Sequence, residues 1–221
     1  MHHNQIIELA VGKTRPGVER EQYLRAAIAV EPDLRRMPGF QKRALYAGDD
    51  GIWADHVWWD SLSSAFRAYE KFQGLESGVE MESLLDPQTV EMYHLEVVYQ
   101  DRPWQMPQAI QAGAGQPVVE LVISKLAAGI SQQAYLGAAT ALEPDLRNLP
   151  GYLSRQLLLE PRGLWVAIVY WNTMQEAMAA AQAFMSLESA QPIQAMLDPS
   201  SVQIFHLEPA YVDSPQSELA G

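Results

Sequence analysis

Apolar and polar positions along this chain change period several times, in a fixed order. Residues 5–13, QIIELAVGK, alternate about an apolar stripe and predict a strand. From Val18 to Val30 the period lengthens: Tyr23, Leu24, Ala27 and Ile28 fall three and four residues apart, on one face of a helix. Pro32, with Glu31 before it and Asp33 after it, opens a second short helical segment, so a kink is expected near Glu31. Pro38-Gly39 ends that segment. Phe40–Ala47 and Ile52–Trp59 predict a hairpin about Gly48-Asp-Asp-Gly51. Asp60-Ser61 offers capping oxygens to a helix over Leu62–Phe72, whose stripe is Leu62, Ala65, Phe66, Tyr69 and Phe72. A short helical stretch near Gly78–Leu85 stops at Asp86-Pro87, and a last strand runs from Thr89 to Tyr99. Strand, helix, strand, strand, helix, strand is the split βαβ order of the ferredoxin-like fold. It predicts a four-stranded antiparallel sheet with helices on one face.

The whole pattern then recurs. Glu31-Pro-Asp-Leu-Arg35 returns as Glu143-Pro-Asp-Leu-Arg147, and the same offset carries Trp53 to Trp165, Trp59 to Trp171 and His94-Leu95-Glu96 to His206-Leu207-Glu208. About 36 of about 92 positions aligned at that one offset are identical, which marks a duplication. The matching elements are Val118–Lys125, Ile130–Leu142, Gly151–Leu159, Leu164–Trp171, Thr173–Phe184 and Ser201–Tyr211. The expected organisation is a first unit over residues 1–100, a linker rich in Pro, Gly, Gln and Ala over 101–117, a second unit over 118–212, and a polar tail over 213–221.

The third strand of each unit is apolar on both parities. Trp53, Val57 and Trp59 share one face, Ile52, Ala54 and Trp58 the other, and its repeat, LWVAIVYW, is apolar throughout. Such strands are buried on both faces, and an apolar sheet face left bare is a liability. The expected fold class is therefore α+β, a tandem duplication of a ferredoxin-like βαββαβ unit. Its two four-stranded antiparallel sheets would pack face to face as a pseudo-dimeric α+β barrel. In the first and last strands, Ile7, Leu9 and Val11 and Tyr93, Leu95, Val97 and Tyr99 form apolar sets, expected to face the helices. Glu8, His94 and Glu96, with Glu120, His206 and Glu208, would then line the space between the sheets.

A carboxylate beside an imidazole in a partly desolvated cavity shifts pKa values and supports proton transfer. His94 and His206 are accordingly candidate bases, with Glu96 and Glu208 orienting them. A structural reading stands beside this one: the glutamates can pair with Arg43 and Arg155, or with Lys13 and Lys125, near a barrel rim. Glu8, Glu120, Arg43 and Arg155 are candidate ligand contacts. Trp53, Trp59, Trp165 and Trp171 can wall an aromatic ligand or simply fill the core. Asp55 and His56 are replaced by Ala167 and Ile168 in the second unit, so they mark the site if only one unit has one. A single H-x-E per unit supplies two ligands, a weak basis for a metal centre, and none is expected. Nucleophile elbow, phosphate loop, dinucleotide fingerprint, zinc-protease motif and EF-hand loop are all missing from the sequence, and no cofactor is expected.

The net charge of −12, without a Lys/Arg run, argues against nucleic acid and anionic membrane surfaces as partners. With no cysteine, disulfides and thiolate chemistry are excluded. No apolar run reaches the ~18 residues of a membrane span and no signal-peptide pattern opens the sequence; a cytoplasmic protein is expected. The expected partner is a small-molecule ligand, and a further homodimer is left open.

Several of these residues carry a resemblance. They are Pro-Gly-Phe40 and Pro-Gly-Tyr152 before the second strand, Gly51-x-Trp53 and Gly163-x-Trp165 opening the third, and Trp59-Asp-Ser61 and Trp171-Asn-Thr173 closing it. The terminal Asp-Pro-x-x-Val-x-x-x-His-Leu-Glu completes the set. Each unit resembles the dimeric α+β barrel superfamily, which includes the antibiotic-biosynthesis monooxygenase-like domains and uncharacterised members. The resemblance implies a barrel normally made by two chains, here by two halves of one. Some members oxidise polycyclic phenols with dioxygen and no cofactor; others degrade haem, or decarboxylate or isomerise small molecules. The haem-degrading members use a histidine on a helix, whereas His94 and His206 are expected on strands. Three functions follow: a cofactor-independent monooxygenase-like enzyme acting on a small apolar or aromatic molecule held between the sheets, a non-catalytic binding module, and a structural or assembly protein with a filled barrel.

Overall fold

The computed structural model describes residues 5–102 and 117–213. In order, the elements are β1 (Ile6–Lys13), α1 (Arg20–Ala29), α2 (Glu31–Arg35), β2 (Phe40–Ala47), β3 (Ile52–Trp59), α3 (Leu62–Phe72), α4 (Glu76–Ser83) and β4 (Glu91–Gln100). They recur as β5 (Val118–Lys125), α5 (Gln132–Ala141), α6 (Glu143–Arg147), β6 (Tyr152–Leu159), β7 (Leu164–Trp171), α7 (Met174–Phe184), α8 (Gln191–Met196) and β8 (Gln203–Asp213). The expected linker lies outside the described residues but for Asp101, Arg102 and Pro117, and so does the expected tail beyond Asp213.

Local chemistry sets the element ends. Val30 closes α1 in a helical conformation and Pro32 stands in the first turn of α2, which produces the kink at Glu31. Ser61 accepts a hydrogen bond from the Ser64 amide at 3.2 Å and so caps α3, and Thr173 caps α7 through the Glu176 amide; such caps contribute ~1 kcal/mol each. Gly39 has φ of +90°, and a Cβ there would run into Asp60 and Ser64, so only glycine fits this turn.

Two compact units divide the chain, with boundaries inside β4 and β8. The first runs through Glu96 and takes up the chain again at Pro209; the second begins at Val97 and runs to Glu208. In the first unit β4, β1, β3 and β2 pair in that order, all antiparallel. In the second, β8, β5, β7 and β6 do the same. Ala210 and Tyr211 of β8 pack in the core of the first unit, and Val98 and Tyr99 of β4 in the core of the second. The strand order β1-β3-β2-β8-β5-β7-β6-β4 closes on itself as an antiparallel barrel. Among the described residues, no helix is long and apolar enough to cross a membrane.

Both faces of each sheet are buried, and the sides are reversed from the expectation. In the first unit the helix-covered face carries Ile6 and Glu8 of β1, Arg43, Leu45 and Ala47 of β2, Trp53, Asp55, Val57 and Trp59 of β3, and His94 of β4. Ile7, Leu9, Ala44, His56, Trp58 and Leu95 lie on the face away from the helices and are equally buried. Alternation tells which residues share a face. It names the helix side only when the other side is wet, and here neither side is.

Candidate functional site

The antiparallel register puts His94, Glu8, Val57 and Arg43 in one row across β4, β1, β3 and β2. Met92, Ala10, Asp55 and Leu45 form the next row, and Gly12, Trp53 and Ala47 the one after. Helices α1, α3 and α4 cover these rows. The small side chains of Ala10 and Gly12 leave room beneath the helices, and a cavity of about 70 Å³ lies there. Glu8, Tyr23, Arg43, Trp53 and Asp55 line it, and Tyr69, Phe72 and Met81 close it from the helix side. All of these residues belong to the first unit.

Arg43 is the buried cation of the site, fully shielded from solvent. Its Nε donates to Asp55 at 3.0 Å, and its Nη2 donates to Asp55 Oδ2 at 2.7 Å, a two-pronged pair. Nη1 donates to the Ala27 carbonyl at 2.6 Å and stands 3.6 Å from Glu31 Oε2. Burial works against this charge, but the carboxylates of Asp55 and Glu31 outweigh it and hold the guanidinium above its ordinary pKa. Glu31 itself is buried, and that burial raises its pKa.

Glu8 is the titratable group best placed for chemistry. Its Oε2 lies 2.9 Å from His94 Nε2, and both side chains are 12% exposed. Burial raises the Glu8 pKa above the ordinary carboxylate value, and the hydrogen bond from His94 only partly offsets it. The His94 ring in turn packs on Phe66 at 4.4 Å and on Tyr69 at 6.3 Å, both from α3. Tyr23 stands 4.6 Å from the Trp53 ring, and burial raises its phenol above the usual range. The arrangement joins an aromatic wall, a buried ion pair and a carboxylate–imidazole pair at one cavity.

The second unit repeats the frame with altered contents. Arg155 donates to Glu143 at 2.8 Å and to the Ala139 carbonyl, and Tyr152 also bonds Glu143. Where Asp55 stands in the first unit, the second has Ala167, and Ser124 and Val122 replace Gly12 and Ala10. His206 and Glu120 are 3.4 Å apart, without the hydrogen-bond geometry of the first pair. Tyr135 stacks on Trp165 as Tyr23 does on Trp53.

The sequence-predicted residues thus divide. Glu8, Arg43, Trp53 and Asp55 meet at the cavity, with His94 beside it. Glu8, His94, Glu120 and His206 lie under the helices of their own units rather than on the opposite sheet face where they were expected. The carboxylate bonded to His94 is that of Glu8, across the strand pair, not that of Glu96. Glu96 is not among the cavity residues, and Glu208 is exposed. Trp59 and Trp171 are core residues, packed edge-on against Phe40 and Tyr152. His56 is wholly buried on the other sheet face between Tyr46 and Trp58. Glu31 and Glu143 were missed; their signal was an acidic residue at the head of the repeated Glu-Pro-Asp-Leu-Arg block. Among the described residues no three metal-ligating side chains converge.

No protein-family model and no curated protein sequence matches the chain. Solved structures do. An anthrone oxidase-like protein superposes with a TM-score of 0.69 at 14% identity, over 100% of this chain and 97% of the other. A candidate monooxygenase of Fusobacterium nucleatum gives 0.62 at 8% identity, over 97% and 96%. The chlorite dismutase of Candidatus Nitrospira defluvii, in complex with imidazole, gives 0.58 at 11%, over 95% and 93%. The chain has the dimeric α+β barrel fold. In this barrel both halves come from one polypeptide, and the cavity just described lies wholly inside the first half. At these identities the likeness establishes the fold and leaves the chemistry to the site.

Proposed function

We propose that the first unit binds a small phenol or enol in the cavity under α1, α3 and α4, and that the protein oxidises it as a cofactor-independent monooxygenase-like enzyme. The observation that carries this reading is Glu8, a carboxylate on the cavity wall whose pKa is raised by burial and which is hydrogen-bonded to His94. A base poised nearer neutrality is the better proton acceptor. In this reading Glu8 takes a proton from the bound molecule and His94 shares it, while Tyr23 and Trp53 hold the ring. The electron-rich anion then reacts with dioxygen. One oxygen atom becomes a carbonyl on the electron-rich carbon, para in a phenol or alpha in an enol, and the other leaves as water with that carbon's hydrogen and the hydroxyl hydrogen, so no external reductant is required. Arg43, held by Asp55 and Glu31, keeps a fixed positive charge beside the developing anion.

The volume bounds the ligand. About 70 Å³ is less than the ~150 Å³ that an apolar cavity needs for benzene, so a ring enters only as a wall side chain turns aside. Met81, with its flexible thioether chain, is the adaptable wall. A second reading, binding without turnover, uses the same cavity and the same walls. The protein on either reading works in the cytoplasm with a small molecule as its partner, and self-association into a further homodimer is not needed by the site. An oxygen electrode and tryptophan fluorescence, run on one series of small phenols and enols, separate the two. Quenching with oxygen uptake supports the enzyme, and saturable quenching without uptake supports the binding module.

A further inference from the structure

The strongest unassigned feature lies in the second unit, at the position Asp55 occupies in the first. Arg43 has its Nε and Nη2 taken by the Asp55 carboxylate. Its repeat, Arg155, is 4% exposed, yet its Nε meets no hydrogen-bond partner among the described residues. The cause is the substitution at the diagonal position: Ala167 has no carboxylate to offer. Leaving a buried guanidinium N–H unpaired costs more than an ordinary missing bond, because the group is charged.

The position is also less covered than its neighbours. Ala167 stands in β7, with β5 on one side and β6 on the other, opposite Val122 and Leu157. The neighbouring Trp165 and Val169 on the same face are buried, whereas Ala167 keeps partial solvent exposure. On the covering helix Ala181 replaces Tyr69, which closes the cavity of the first unit. Ser124 and Val122 replace Gly12 and Ala10 on the floor, with Val122 directly opposite Ala167. Glu143 answers only part of the guanidinium, since it accepts from Nη2 and also from Tyr152.

We propose that the second unit holds a small carboxylate ligand whose carboxyl group takes the place of the Asp55 side chain and accepts from Arg155 Nε. The first unit displays the bound state within its own chain: a carboxylate at this place makes the two-pronged arginine pair. The Tyr135 hydroxyl is hydrogen-bonded to Ser124, and Trp165, on the same strand face as Ala167, forms an apolar wall. A small aromatic or short aliphatic acid meets these requirements. The site is independent of the proposed oxidation in the first unit.

The test uses the full chain and titrates benzoate, with benzamide as the neutral isostere, followed by calorimetry. Benzoate should bind at one site per chain, with benzamide at least about tenfold weaker because it lacks the charge. Ala167→Asp supplies an internal carboxylate and should abolish benzoate binding while leaving the first unit's ligand response unchanged. Asp55→Ala combined with Tyr69→Ala reproduces the second unit's arrangement at Arg43 and should raise the benzoate stoichiometry from one to two. Failure of benzoate to bind the wild-type chain overturns the proposal. So does equal binding of benzamide, or undiminished binding in a folded Ala167→Asp protein; should that variant not fold, an unchanged stoichiometry in the folded Asp55→Ala/Tyr69→Ala protein overturns it instead.

Discussion

Glu8 and His94 face each other across the β1–β4 pair, 2.9 Å apart, beneath α3 and at the wall of the first unit's cavity. Their proximity follows from register alone, since Glu8 lies directly opposite His94. The pair makes a prediction about stability as well as about rate. Burial raises the Glu8 pKa, so the folded state holds its proton more tightly than the unfolded chain. That contribution to stability is fully present below the ordinary carboxylate pKa and is lost as pH rises through the raised value. Glu8→Gln removes it. Wild-type protein should therefore lose stability relative to Glu8→Gln as pH climbs from the carboxylate range toward neutrality, as read from denaturation midpoints across that window.

The Arg43–Asp55 pair should behave as a buried ion pair does when one partner is removed. Asp55→Ala leaves Arg43 with Glu31 and a carbonyl and should cost about 3 kcal/mol, the low end for such a break. Asp55→Asn, which keeps an acceptor, should cost less. Urea midpoints of the two variants check the order, and equal midpoints would contradict the role given to this pair.

His56 predicts an acid response of the opposite sense. Burial pushes its pKa down to about 3 from 6.5, with no hydrogen-bond partner for either ring nitrogen among the described residues. The folded state keeps the ring neutral while the unfolded chain protonates it. The stability this group allows is complete above pH 6.5 and falls as pH drops toward 3, by up to about 1.4 kcal/mol per pH unit. His56→Leu should flatten the stability profile across that interval. A profile unchanged by the substitution would contradict the burial of a neutral ring.

Trp53 should report the ligand. It is buried, lines the cavity and stacks on Tyr23, so Trp53→Phe should remove most of the ligand-induced quenching. Trp59→Phe, altering a ring packed in the core away from the cavity, should retain it.

Much of the frame is written in the sequence, because period, turn residues and an ungapped repeat are local signals. Gly48-Asp-Asp-Gly51 places the hairpin, and with it the register that sets Arg43 opposite Val57 and Leu45 opposite Asp55. The diagonal Arg43–Asp55 bond therefore lay one step beyond the hairpin. The facing of Glu8 and His94 was not legible. The large aliphatic residues Ile7, Leu9 and Leu95 occupy the face without helices, and the helix side received the charged pairs and the smaller Ala10 and Gly12. Size and polarity along one strand do not separate two dry faces. Glu31 was hidden for another reason: an acidic residue before Pro32 reads as helix-start chemistry, whereas its carboxylate turns inward to Arg43.

The most direct test of the central reading is oxygen consumption by wild-type and Glu8→Gln protein with a series of small phenols and enols. Wild-type protein should take up one dioxygen per product formed, and kcat should fall by about 10²–10⁴ in Glu8→Gln, with ligand quenching of Trp53 retained. Uptake at the same rate in both proteins, or quenching in the wild type with no uptake for any member of the series, would contradict that reading.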